Sequence, residues 1–245
     1  MMLVPFRRKY VYKRLERLDR SSGRVYRVDG EDMPMPSVTT ILNETKDKSH
    51  LKDWEDRVGK DEAERIRNES ATIGTHMHSV VERLLLERPL DIPRTWQQVK
   101  GYWMGYKLIE HFFPHVDEVW GTEIPLYVPN TYAGTSDCVG VYKTKPSIMD
   151  FKQTNKPKKR EWIEDYFLQL AAYAVAHDRV HGTKIDQGVV MMMSQAGEPQ
   201  EFVTAGREFD EYKDKWWRRV EQYQKRGRED QPPGQSAIVG AEKNP

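Results

Sequence analysis

The sequence contains a single cysteine, Cys138, among its 245 residues. One cysteine excludes a disulfide framework, and it excludes a zinc or iron–sulfur centre built on cysteine ligands. A reducing setting is the expectation, cytoplasmic in a bacterium or a phage-infected cell. No apolar run approaches the roughly 18 residues that a membrane span requires, so no membrane partner is expected. The opening stretch MMLVPFRRKYVYKRL lacks an apolar core of signal-peptide length. It is basic, but the Ser-rich, acid-poor continuation of a transit peptide is missing, and a mitochondrial location would require it to be a targeting segment. There is no internal repeat and no G-x-x-x-x-G-K-[ST] loop for a nucleotide phosphate, so any strand unwinding would have to come from a partner such as a helicase. A strong charge of one sign is also missing: 39 Lys and Arg face 38 Asp and Glu, leaving +1. Partners must therefore be sought in local charge clusters.

Two such clusters exist. Residues 7–27 hold Arg7, Arg8, Lys9, Lys13, Arg14, Arg17, Arg20, Arg24 and Arg27 against Glu16 and Asp19. A second run is Lys152, Lys156, Lys158, Lys159 and Arg160. Both suit a polyanion such as nucleic acid, and for the first run a solvated surface explains the charge as well.

Pattern reading divides the chain into helices, then strands, then helix and strand. Residues 10–28 read as an irregular hairpin turning at Ser21-Ser22-Gly23. Ser37 or Thr39 is placed to cap a short helix. Helical spacing covers 47–69, 73–87 and 95–113. Residues 116–128, 132–142 and 147–152 carry β-branched and aromatic residues between Pro, Gly and Asn, the mark of strands. A helix over 160–181, strands over 185–194 and 201–204, and a helix over 210–226 complete an α/β domain on a mixed sheet. The tail from Gly227, with QPPGQS, is expected to be disordered.

The chemistry lies in GTSDCVGVYKTKPSIMDFKQTNKPKK, residues 134–159. Successive strand residues face opposite ways, so Asp150 and Lys152 share one face and Met149 and Phe151 the other. A hairpin centred between Thr144 and Lys145 would set Asp137 opposite Lys152. Asp150 would then be its diagonal neighbour at roughly 7–8 Å. A buried ion-pair cluster is the bland explanation, but desolvation makes such clusters poor stabilisers. Two acids sharing one lysine also leave a spare negative charge. A divalent cation would balance it, and oxygen ligands with open water positions suit Mg²⁺ or Mn²⁺. A lysine beside a metal-bound water is suited to orient or deprotonate it.

Gly134-Thr135-Ser136-Asp137 followed by Ile148-Met149-Asp150-Phe151-Lys152 resembles the core of the PD-(D/E)XK nuclease superfamily. Gly74-Thr75-His76-Met77-His78 resembles the helical motif of its RecB-like exonuclease branch, and Gln169-Leu170-Ala171-Ala172-Tyr173 resembles that branch's Q-x-x-x-Y helix. Pro36-Ser37-Val38-Thr39-Thr40-Ile41-Leu42 and the GTSD…DFK…KPKK block are similar to the mitochondrial genome maintenance exonucleases and their phage relatives. The resemblance spans roughly residues 35–225 in motif order.

The resemblance implies a restriction-endonuclease-like domain over 31–226, preceded by a basic extension over 1–30 and followed by the tail over 227–245. It implies metal-dependent hydrolysis of DNA phosphodiesters, at single strands or ends. Asp137 and Asp150 would bind the metal, His78 would complete the site, and Lys152 would serve the attacking water. Gln169 and Tyr173 would bind substrate. Gln153 stands where relatives often carry threonine or serine. Glu82, one turn after His78, and Glu123 are weaker site candidates, each with a solvated-surface alternative. Lys158 and Lys159 would hold phosphates, with Trp162 and Tyr166 able to stack bases; a plain surface loop is the alternative. His76 lies about 200° from His78 around the helix and is read as packing. Cys138 faces away from Asp137 and belongs to the core. A polymerase or single-strand-binding protein would be a natural partner. Two rivals remain: a nuclease-fold protein that binds without cutting, and an endonuclease of the same fold.

Overall fold

The computed structural model describes residues 4–21, 23–47 and 49–229. A small antiparallel sheet comes first, made of β1 (Leu15–Arg20), β2 (Gly23–Val28) and β3 (Met35–Pro36). Four helices follow: α1 (Val38–Thr45), α2 (Ser49–Val58), α3 (Lys60–Leu85) and α4 (Trp96–Phe112). Next come β4 (Val116–Val128), β5 (Tyr132–Tyr142) and β6 (Lys145–Thr154). After them lie α5 (Glu164–His181), β7 (Gln187–Ser194), β8 (Pro199–Ala205) and α6 (Gly206–Glu229). The main sheet runs β4-β5-β6-β7-β8, and only β6 and β7 are parallel. That pair is joined through α5, as a parallel connection requires a long crossover. The architecture is the mixed sheet flanked by helices that the pattern of elements predicts.

Strand alternation gives the sheet two apolar faces. Cys138, Tyr142, Met149 and Phe151 turn toward α3 and α4, whose Ile73, Met77 and Leu108 meet them. Val139, Ile148, Val190 and Met192 turn the other way, toward α1, α5 and α6. Each fully buried side chain of this size contributes about 1.5–3 kcal/mol, so both layers are held firmly. Cys138 is fully buried, which pushes its thiol pKa far above the ordinary range and leaves it inert.

Local signals fix the helix ends. Ser37 Oγ accepts the Thr40 N–H at 2.9 Å and caps α1. Thr95 and Gln98 form a capping box on α4. Helix α3 is longer than its periodicity suggests: it runs unbroken from Lys60, absorbing the expected boundary near residue 70. The interruption falls instead at Gly59, whose φ of 86° separates α2 from α3. Among the described residues, no helix is long and apolar enough to cross a membrane.

The small sheet is not detached from the main one. Tyr26, Val28 and Met35 pack against Tyr127 and Ala133 at the far ends of β4 and β5. Ser37 bridges to Ala133. Residues 15–28, rich in arginine, are thus anchored beside the main sheet. Ser22 of the expected turn lies outside the described residues, as do residues 230–245 of the expected disordered tail. Residues 227–229 of that tail extend α6.

Candidate active site

Strand register assembles the site. The β5–β6 ladder pairs Tyr142 with Lys145 and Cys138 with Met149, then stops. One further step sets Asp137 opposite Asp150. The expected partner was Lys152, so the true register differs by two residues. The cause is the turn: Lys143 and Thr144 both take positive φ, 47° and 71°. They make a two-residue hairpin with neither Asn nor Gly to announce it. Their hold comes from elsewhere, because Asp117 accepts the Thr144 N–H at 2.7 Å and Lys143 Nζ lies 2.8 Å from Glu201. A slip of two keeps every side chain on its face, so Asp137, Asp150 and Lys152 still converge.

Where the β5–β6 ladder stops, Asp137 Oδ2 accepts the backbone N–H of Phe151 at 2.7 Å. The aspartate replaces a ladder bond and is locked by it. The two strands part beyond that point, β5 remaining with β4 and β6 with β7. His78 reaches into this opening from α3. Its Nδ1 is 3.5 Å from Asp137 Oδ2 and 3.8 Å from Glu123 Oε1.

Glu123 belongs to the same row. Flanking pairs Thr122–Cys138 and Ile124–Ser136 bracket it directly opposite Asp137. Its φ is 49°, a left-handed conformation in mid-strand that side chains seldom adopt. One ligand atom from each of His78, Glu123 and Asp137 lies within 4.8 Å of the others. Glu82 lines the cleft one turn beyond His78. Burial raises the pKa of Glu82, and the Glu123 carboxylate adds to the rise.

The electrostatics show a shortage of positive charge. Asp150 is 2% exposed, and neither of its carboxylate oxygens has a well-formed hydrogen bond. Lys152 Nζ stands 2.5 Å from Asp150 Oδ2 as an ion pair. Burial nonetheless pushes the Asp150 carboxyl up to about 6, against the pull of Lys152 and with a further push from Asp137. Burial works against the Lys152 ammonium, but Asp150 and Asp137 outweigh it and raise its pKa. Burial also opposes a charge on His78, yet the nearby carboxylates of Asp137, Glu123 and Asp150 push it up to about 9. Three clustered carboxylates thus draw protons onto their neighbours. The unpartnered buried Asp150 Oδ1, the clustered carboxylates and the imidazole form a donor set that fits a divalent cation, which would supply the missing charge.

Helix α5 covers the row. Tyr166, Gln169 and Tyr173 share one face at i, i+3 and i+7. Gln169 and Tyr173 line the cleft together. Gly134 explains the first residue of the GTSD segment: a Cβ there would lie 2.9 Å from Tyr173 Oη. Tyr166 places its ring 5.1 Å from Lys152 Nζ, so it supports the lysine. Gln153 donates to the Ser70 carbonyl at 3.1 Å and ties β6 to α3. His76 packs at Gly101 of α4, away from the site. Lys158 and Lys159 sit on the exposed loop after β6, outside the cleft lining; the Lys158 backbone donates to Gln200 Oε1 and accepts from Gln200 Nε2, and Lys159 lies 5.3 Å over the Trp162 ring.

The opposite wall of the cleft was not foreseen. Arg14, Arg17 and Arg24 of the β1–β2 hairpin face Gly74, Thr75 and Ser79 of α3 across a cavity of about 860 Å³. Their excess was visible in composition. Their position depends on the docking of Tyr26 and Val28, which composition does not reveal.

No protein-family model matches the chain. It is similar to mitochondrial genome maintenance exonuclease 1 from Homo sapiens, with 27% identity over 204 residues, 77% of this chain and 58% of the human protein. The Xenopus tropicalis protein of the same name is 28% identical over 211 residues, 80% of this chain and 59% of that protein. The chain therefore spans less than two thirds of the length of these relatives. A crystal structure from Eubacterium rectale overlaps with a TM-score of 0.44 at 13% identity, over 64% of this chain and 65% of that one, a likeness too small to carry an argument.

Proposed function

We propose that this chain is a divalent-metal-dependent nuclease that hydrolyses DNA phosphodiester bonds from an end, on single strands or frayed termini. The observation that carries the reading is the single row of Glu123, Asp137 and Asp150 across three strands, with His78 beside it, Lys152 paired to Asp150 Oδ2, and the buried Asp150 Oδ1 left without a partner. The similarity to proteins named as exonucleases supports it.

Glu123, Asp137, Asp150 and His78 would hold Mg²⁺ or Mn²⁺, whose chemistry is to polarise the phosphoryl oxygen and ease ionisation of water. The chain's own groups do the rest. Lys152 orients the attacking water and stabilises charge developing on the phosphate. Water oxygen bonds to phosphorus and gives up a proton to solvent, the bond to the leaving deoxyribose oxygen breaks, and that oxygen takes up a proton from solvent, so that one water is consumed per bond. Tyr166 and Asp150 hold the lysine in place. Gln169 and Tyr173 meet the substrate from α5, and the hairpin arginines meet its backbone from the other side.

The test uses 5′-labelled, 3′-labelled and circular single-stranded DNA, each with Mg²⁺, with Mn²⁺ and with chelator. Wild type is run beside Lys152→Ala. Metal-dependent shortening of linear but not circular DNA, with kcat about 10²-fold or more lower in the variant, is expected. Cleavage of the circle would make the protein an endonuclease. Binding without cleavage under either metal would reduce it to a nucleic-acid-binding protein on this fold.

A further inference from the structure

A second cavity of about 890 Å³ lies between the β1–β2 hairpin and helices α1 and α6. Its walls include Arg20, Arg24, Asn43, Tyr223 and Arg226. Arg24 and Thr39 line this cavity and the catalytic cleft alike, so the two adjoin at the hairpin. We propose that the second cavity is a subsite for single-stranded DNA, holding the strand away from the scissile phosphate; this rests on the nuclease reading above.

The two cavities together have the chemistry of a strand path. Single-strand sites pair cationic groups for phosphates with an aromatic surface for bases. Arg20 is exposed and makes no ion pair among the described residues. Arg14, at the cleft end of the hairpin, likewise makes none among them. Tyr223 is half-buried and offers a ring, and Asn43 and Gln224 offer amides. Two acids line the second cavity, Asp19 and Glu44. Asp19 is already forked by Arg17 at 3.0 Å and bonded by Arg24 at 3.2 Å.

The hairpin is also rigidly set, which a binding wall requires. Gly23, with φ of 114°, approaches so closely that a Cβ would lie 2.7 Å from Thr40 Cγ2. The Arg24 carbonyl accepts from the Ser37 N–H and from Thr40 Oγ1, both at 2.9 Å. Arg226 Nη1 donates to the Glu44 carbonyl, closing α6 onto α1. The backbone that carries these cationic groups is thereby fixed against α1, although the exposed Arg14 and Arg20 side chains order only on binding.

The experiment measures the affinity of fluorescent oligo(dT) of increasing length in chelator, for wild type, Arg20→Glu and Arg20→Lys. Wild-type affinity should rise as the strand becomes long enough to leave the cleft. In Arg20→Glu that rise should shrink by about tenfold in Kd, and the salt slope for long strands should fall by about 1. Arg20→Lys should restore most of it. A length dependence and salt slope unchanged in Arg20→Glu, in a wild type that still cleaves, would overturn this subsite alone. A wild type that neither binds nor cleaves DNA would overturn the nuclease reading and the subsite with it.

Discussion

Glu123 stands directly opposite Asp137 across the β4–β5 ladder, and it does so in a left-handed conformation with φ of 49°. A glutamate in that conformation is strained by about 1–2 kcal/mol. The strain brings its carboxylate beside Asp137 and His78. Glu123→Gly should therefore raise stability in chelator by about 1 kcal/mol, read from the urea midpoint, while lowering metal-dependent cleavage. A variant both less stable and fully active would show that the conformation serves packing and not the site.

Metal binding should appear as stability. Saturating Mg²⁺ or Mn²⁺ at 100 times Kd should stabilise the metal-free protein by about 2.7 kcal/mol, seen as a higher melting temperature. Asp137→Asn keeps an oxygen to accept the Phe151 N–H but loses the negative charge. Its metal-induced shift should fall below half of the wild-type value. Equal shifts in the two proteins would place the metal elsewhere.

Gly134→Ala tests the contact beneath Tyr173. A methyl group there meets the Tyr173 ring and hydroxyl at 2.9–3.0 Å, against a side chain that is 4% exposed. Overpacking of this kind costs about 1–3 kcal/mol. The expected result is lower thermal stability together with a raised KM, because Tyr173 is displaced from the cleft. An unchanged KM would remove Tyr173 from substrate binding.

His177 gives the fold an acid sensitivity apart from the site. It is fully buried on α5, between Tyr12 Oη at 3.1 Å and Thr183 Oγ1 at 2.8 Å. Thr183 already donates to Asp178, so the histidine Nδ1–H donates to Thr183 and Nε2 accepts from Tyr12. Burial, with His181 adding to it, lowers its pKa from 6.5 to about 3. Between those values the unfolded chain binds the proton and the folded chain does not. Its contribution is thus complete above pH 6.5 and shrinks as pH falls toward 3, by roughly 1.4 kcal/mol per pH unit at most. His177→Gln, though less stable, should show a shallower loss over that window in urea titrations. Parallel slopes would mean that other groups carry the acid sensitivity.

Much of this arrangement is legible in the amino-acid sequence. The period of two alone put Asp150 and Lys152 on one face, because a strand's side chains alternate whatever it pairs with; the position of the hairpin turn added Asp137 to that face, even though the register was off by two. The i, i+4 spacing put Gln169 and Tyr173 together for the same local reason. The order of strands and helices predicted the mixed sheet, and Ser37 or Thr39 announced the first helix, which Ser37 caps. Register could not be read, since Lys143 and Thr144 hold their turn through Asp117 and Glu201, residues 27 and 58 positions away. The place of Glu123 in the row, the reach of His78 into the parted strands and the arginine wall of the cleft depend on contacts distant in sequence. Local chemistry chose which side chains this protein would offer, and long-range packing decided which of them meet.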